Sequence, residues 1–244
     1  LKDAAVVQAG WIHAPHISKE TIEEFRRATP PHLLDARMNG NPTMGSGNVY
    51  QIPKADILID PIQIQPYWKK LYGFDVGWNV TAAVFGALDT DTDTIYLYHE
   101  YYGKKKEPVI HASAIKAVAG DWMPGMIDPA SRGRSQIDGQ KLISLYRKEG
   151  LKLREANNAR EAGISAVYSR LSTGRLKVFK TLRNWTEEYG LYIREEDGSI
   201  KKETDHLMDA MRYLVIDINH AKFSPSHFSP NNNNSSTNPY SFDD

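Results

Sequence analysis

The run Thr204-Asp-His-Leu-Met-Asp-Ala-Met-Arg-Tyr213 puts two carboxylates and an imidazole on one side of a helix. His206 and Asp209 are three apart and Asp205 and Asp209 four apart, spacings that share a helical face. A face of this kind, at the start of an otherwise apolar helix, is costly to build for stability alone. It makes chemical sense if it looks onto a divalent cation. Asp205 taken singly could instead complement the helix dipole.

Two earlier acids could meet that face. Leu71-Tyr-Gly-Phe-Asp75-Val-Gly-Trp-Asn79 reads as a strand with one carboxylate among apolar and aromatic neighbours. Met123-Pro-Gly-Met-Ile-Asp128-Pro-Ala130 reads as a second short strand ending in an acid. Asp is disfavoured in strands and costly to bury unpaired, so each needs a partner. A hydrogen-bonded structural aspartate at 75 and an ordinary turn acid at 128 are the plainer readings of each alone. The order strand-acid, strand-acid, helix-acid favours a shared cation.

The elements that must position these acids follow from periodicity. Residues 72–76, 82–88 and 94–101 read as three antiparallel strands, separated by Gly77-Trp-Asn79 and Asp89-Thr-Asp-Thr-Asp93. A helix over 108–118, the strand at 125–128, a helix over 135–148 and a strand over 151–156 follow. Then come a helix over 161–172, an extended piece at 175–179 and a helix over 184–189. A hairpin joins 191–194 to 200–202 through an Asp-Gly turn. The helix from Asp205 to about Asn219 closes the globule. Three antiparallel strands, then parallel strands alternating with helices, is the order of a ribonuclease-H-like α/β fold. In that layout Asp75, Asp128 and Asp209 converge, with His206 and Asp205 beside them.

Residues 1–68 read as a strand at 4–12, a helix capped by Ser18 and running through Arg27, and a turn-rich segment from Asp35 to Tyr50. The glycines there do not form a phosphate loop, because no Gly-Lys-Ser/Thr follows them. Ser224–Asp244, with Asn231–Asn234, serines and prolines, reads as a disordered tail. The organisation expected is therefore 1–68, 69–220 and 221–244. The chain starts at Leu1 rather than Met, as a piece of something longer would.

With 244 residues, 41% of them apolar, the chain can bury one sizeable core. The formal net charge is zero, yet from Arg132 to Arg183 thirteen basic residues stand against four acidic ones. Such a stretch suits a phosphate backbone, or else forms solvated helix faces. The absence of cysteine excludes disulfides, zinc fingers and thiol catalysis. No apolar run is long enough for a membrane span, and no segment reads as a signal peptide.

Taken together, Arg37-Met-Asn-Gly40 with Gly45-Ser-Gly-Asn-Val-Tyr50, Gly73-Phe-Asp-Val-Gly-Trp78, Ile127-Asp-Pro129, Ala159-Arg-Glu-Ala-Gly-Ile164, Gly174-Arg-Leu-Lys-Val178 and Thr204–Tyr213 resemble the C-terminal nuclease domain of tailed-phage terminase large subunits. The resemblance spans about Asp35 to Leu214, and its last motif is the most specific. It implies a two-metal endonuclease that cuts concatemeric double-stranded DNA with little sequence preference when packaging starts and ends. Its metal ligands would be Asp75, Asp128 and Asp209, with His206 as an additional ligand and Asp205 as a less certain one. Two divalent cations, Mg²⁺ or Mn²⁺, would activate water and take the charge of the leaving oxygen. Residues 1–68 would be the remnant of the packaging ATPase and its connector, and ATPase activity is not expected of this chain alone.

Arg132 and Arg134, in the loop after Asp128, and Lys201 and Lys202, just before the last helix, are the candidates for DNA phosphate contacts. Cross-strand pairing with Glu195 and Glu196 is the alternative for the two lysines. Trp78 and Trp122 are expected in core or rim packing. The resemblance also implies the portal protein and the terminase small subunit as partners. It implies no membrane, and a place in the host cytoplasm, transiently at the prohead portal and not in the mature virion. A resolvase or transposase of the same fold, or a non-catalytic DNA- or portal-docking module, remain the alternatives at this point.

Overall fold

The computed structural model describes residues 10–29, 37–39, 47–132, 142–195, 198–202 and 204–225. Its centre is a meander of three antiparallel strands, β3 (Lys69–Asp75), β4 (Thr81–Asp89) and β5 (Thr94–Gly103). Short parallel strands extend it on both sides: β6 (Pro124–Ile127) and β7 (Lys152–Glu155) beyond β3, and β8 (Leu176–Phe179) with β2 (Leu58–Ile59) beyond β5. The seven-stranded order is β2-β8-β5-β4-β3-β6-β7. A small separate pair joins β1 (Gly47–Asn48) to β9 (Ile193–Arg194).

Helices cover both faces. They are α1 (Lys19–Ala28), α2 (Lys54–Ile57), α3 (Pro108–Ala119), α4 (Leu142–Lys148), α5 (Arg160–Ser172), α6 (Arg183–Leu191) and α7 (His206–Ile216). Side chains alternate across a strand. Tyr72 and Phe74 of β3 therefore join one apolar cluster with Ile115 of α3 and Tyr146 of α4. Leu71 joins the other, with Val167 of α5, Trp185 of α6 and Met211 of α7. Asp75 follows the parity of Leu71 and Gly73, which puts it on the α7 side.

Gly73 is why α7 can lie so close. A Cβ at that position would sit 1.8 Å from the carbonyl oxygen of Ala210, the residue after Asp209. The strand that carries one acid and the helix that carries another thus touch backbone to backbone. Gly73→Ala is expected to push α7 off the sheet, at a cost of about 1–3 kcal/mol in line with other overpacked interiors. A denaturant melt checks this, and unchanged stability would show the contact to be soft.

The element order expected from the sequence stands, with local differences. Ser18 caps α1, its Oγ accepting from the Thr21 amide at 3.2 Å. Trp11–His13 forms a 3-10 turn instead of the end of a strand, with the Gly10 amide donating to His13 Nδ1. Residues 4–9 of that expected strand, 135–141 of an expected helix, and 226–244 of the tail lie outside the described residues. Leu191 ends α6, so the hairpin begins only at Ile193 and is pinned by a bridge between Arg194 and Ile200. Residues 47–59 pack on the sheet, where they supply β1, α2 and β2, and Val49, Tyr50 and Ile57 are buried in the core.

Trp78 departs from the packing expectation: it is 67% exposed, in the turn after β3. Trp122 does pack against the α3–α4 cluster. Several cations of the basic stretch are engaged within the fold. Arg170 and Arg175 hold Asp93, Arg147 donates to the Leu153 carbonyl, and Lys177 and Lys180 reach Asp56 and Asp60. Among the described residues no helix is long and apolar enough to cross a membrane.

Candidate active site

Asp75 is the last residue of β3, and Asp128 follows the last residue of β6, its parallel neighbour. The Asp128 amide donates to the Phe74 carbonyl at 3.0 Å, so the two acids leave the sheet side by side. Asp209 lies in the first turn of α7, which crosses β3 at Gly73. His206, one turn earlier, donates from Nδ1 to Asp75 Oδ2 at 2.8 Å. Burial raises the Asp75 carboxyl to about 6, opposed by His206 and aided by the charges of Asp209 and Asp128. Desolvation therefore outweighs mutual repulsion here. The Asp75 hydrogen bond in turn raises the His206 imidazole.

Each of the three carboxylates is held through a single oxygen among the described residues. His206 occupies Oδ2 of Asp75, and the Ala130 amide donates to Oδ1 of Asp128 at 3.0 Å. Arg212 donates from Nε and Nη2 to Oδ1 of Asp209 at 3.2 and 3.1 Å. One oxygen of each acid is thus anchored, and the other accepts no hydrogen bond from the described residues.

Asp205 sits at the N-cap of α7 and is buried, but its side chain makes no cap hydrogen bond. Burial, then Asp209, raises its carboxyl. The cap comes instead from Glu188 of α6, whose Oε2 accepts from the Leu207 amide at 2.6 Å. Glu188 had no place in the sequence reading. It is buried, and burial raises its carboxyl to about 7. Its helix is held the same way: Glu100 of β5 accepts from the Asn184 and Trp185 amides at 2.9 and 2.8 Å. Two helix N-termini thus take their hydrogen-bond acceptors from carboxyl groups on other elements.

Because the folded-state value for Glu188 lies above the usual one, this group favours the protonated native state. Its contribution is fully present below about pH 4.5 and is lost as pH rises through about 7. Glu188→Gln is expected to remove that slope, on the order of 3 kcal/mol across the interval. Stability measured by urea at pH 4.5, 6 and 8 tests this, and an unaltered pH profile would rule it out.

Arg134 and the side chain of Arg132 lie outside the described residues; the Arg132 backbone ends a 3-10 turn that starts directly after Asp128. Lys202 is exposed before α7, and the Lys201 amide donates to the Ile193 carbonyl in the hairpin. No group of three His, Asp or Glu side chains among the described residues closes around a single point as a metal cage. The donors still fit a hard divalent ion. Magnesium commonly keeps waters and takes only one or two carboxylates plus substrate phosphate, so a closed protein cage is not required.

A mixed sheet of this strand order, with acids at the ends of two neighbouring strands and on a crossing helix, defines the ribonuclease-H-like class. Residues 72–217 match the family described as the Terminase RNaseH-like domain, and the chain belongs to that family. It is 30% identical over 220 residues to the terminase large subunit of Salmonella phage P22, covering 87% of this chain and 44% of that protein. The chain thus spans less than half the length of this curated relative. Among solved structures, the P22 large terminase nuclease domain superposes with a TM-score of 0.67 at 30% identity, covering 74% of this chain and 97% of that one. The large terminase nuclease domain of bacteriophage SPP1, solved with bound Mn, shares the fold at TM-score 0.50 and 14% identity, covering 69% of this chain and 99% of that one.

Proposed function

We propose that this chain is a metal-dependent endonuclease of a phage DNA-packaging motor, cutting concatemeric double-stranded DNA with little sequence preference at the start and end of packaging. The observation that carries the proposal is the placement of Asp75 and Asp128 at the ends of neighbouring parallel strands, with Asp209 on the helix that crosses β3 and both other charges acting on Asp75. Family membership supports the same reading, as does the P22 relative, whose solved domain is named a nuclease. The SPP1 domain with bound Mn supports a divalent cation.

In this reading Asp75, Asp128 and Asp209 would hold two Mg²⁺ or Mn²⁺ ions. When bound, such ions supply a nucleophilic hydroxide and charge compensation for the leaving 3′-oxygen. The residues of the chain do the rest. Asp75, beside Asp128 in the sheet and under the charge of both other acids, would help hold both ions, and His206 would then have to give up Oδ2. His206 then offers a ring nitrogen as a further ligand or moves a proton at the site. Asp205, buried at the N-cap of α7 with no cap hydrogen bond from its side chain, would be a less certain additional ligand. Arg132, Arg134, Lys201 and Lys202 flank the acids in sequence and are assigned to the DNA backbone.

The wider setting is part of the proposal. Residues 1–68 are assigned to the end of a packaging ATPase and its connector, although 47–59 of that stretch pack on the nuclease sheet; 221–244 are assigned to a tail that starts from Ala221 and Lys222, which still pack on the nuclease. The portal protein and the small subunit are the partners, and the site of action is the host cytoplasm at the prohead portal. Plasmid digestion with Mn²⁺, Mg²⁺ or EDTA tests the central claim. Nicking and linearisation with either metal and none with EDTA is the expected pattern; an intact plasmid in all three would refute it.

A further inference from the structure

Arg212 is fully buried three residues after Asp209, and it was given no role by the sequence reading. An exposed pair at this spacing contributes only a few tenths of a kcal/mol and needs no special explanation. This pair differs, because a buried guanidinium is costly unless its charge and its donors are met. Nε and Nη2 both go to the same oxygen of Asp209, Nη2 also reaches Asn158 Oδ1 at 3.5 Å, and the guanidinium lies 4.6 Å over the Tyr213 ring.

The space that Arg212 occupies is made by Gly163 of α5. A Cβ there would meet Arg212 Cγ at 2.4 Å and Cδ at 2.8 Å. Gly163 belongs to the Ala159–Ile164 motif, which the metal chemistry alone leaves without a purpose. The loop before α5 is tied to the far end of α7 by the Asn157 amide, which donates to Asp217 Oδ2 at 2.8 Å. The motif therefore fixes where Arg212 can lie.

We propose that Arg212 is a positioning residue for the metal site: it fixes Oδ1 of Asp209 so that Oδ2 alone meets the cation, and Gly163 admits it. This rests on Asp209 being a metal ligand. Without Arg212 the Asp209 carboxylate can rotate and take a cation through both oxygens, which binds the ion but misplaces it.

The test measures Mn²⁺ binding by calorimetry and plasmid cleavage at saturating Mn²⁺, for the wild type and for Arg212→Gln, Arg212→Lys and Gly163→Ala. Arg212→Gln is expected to cut roughly 10- to 100-fold more slowly, the scale of a misplacement of about 1 Å. It should bind Mn²⁺ as tightly as the wild type or more tightly, since a neighbouring cation has gone. Arg212→Lys should recover part of the rate. Gly163→Ala should lower the rate with no charge changed and Mn²⁺ affinity held within about threefold. If Arg212→Gln does not fold, the split between rate and affinity in the other two variants decides. Cleavage at the wild-type rate in the folded variants would overturn the inference while leaving the nuclease reading intact. So would Mn²⁺ affinity falling in step with rate. A wild-type chain that neither binds Mn²⁺ nor cuts would overturn both.

Discussion

Asp75→Asn is expected to abolish cleavage while making the metal-free protein more stable at alkaline pH. The activity loss should reach roughly 10³-fold or more, because a bridging ligand contributes several kcal/mol of transition-state charge stabilisation. The stability gain comes from the same burial. The Asp75 side chain is 14% exposed, and its carboxyl is raised to about 6 from an ordinary 3.8. A group raised in this way favours the native state when protonated, so its contribution is lost as pH climbs from about 4 through 6. At pH 8.5 the wild type carries a buried anion that asparagine lacks, a difference on the order of 1–3 kcal/mol. At pH 3.5 Asp75 is mostly protonated in both the folded and the unfolded protein, and the two proteins should melt alike. Calorimetric melts in EDTA at both pH values give the comparison. Lower stability of the variant at pH 8.5, or cleavage near the wild-type rate, would refute this account of the site.

Asp209→Ala should remove cleavage as thoroughly but with the opposite effect on the fold. Its partner Arg212 is fully buried, with Nη1 already lacking a partner among the described residues. Deleting the carboxylate leaves that guanidinium uncompensated, a loss of about 3–5 kcal/mol by the usual behaviour of broken buried pairs. For a domain of this size that lowers Tm by roughly 10 °C. Mn²⁺ should raise the wild-type Tm, as any ligand specific for the native state does, and should fail to raise that of Asp209→Ala. Two acids assigned to one metal site would thus differ in sign on stability. Equal stability changes in the two variants would mean that the contrast in their partners carries no weight.

Much of the candidate site was legible in the chain because an acid in an apolar strand, or on the buried face of a helix, breaks the local pattern. Asp75, Asp128 and Asp209 each do so, and the order of strands and helices around them pointed to one end of one sheet. Glu188 breaks no pattern. It is one of two adjacent glutamates in a helix with polar residues on several sides, and only the packing of α6 against β5 and α7 buries it. Arg212 was visible as a residue but not as a buried one, since spacing to Asp209 is the same on a wet helix face as on a dry one. The lone exposed Trp78 is the converse case, a residue whose type suggests packing and whose turn leaves it in solvent.

From β3 onward the sequence by itself determined the order of strands and helices and the face on which each acid stands, because periodicities of 2 and 3.6 are written in consecutive residues. Only the tertiary structure decided which oxygen of each acid is held, which residue caps the last helix, and how Arg212 comes to be enclosed. Those outcomes depend on contacts such as that between His206 and Asp75, 131 residues apart, and of Gly163 with Arg212. Local spacing shows which way a side chain faces, whereas what it meets is settled by the element packed against it.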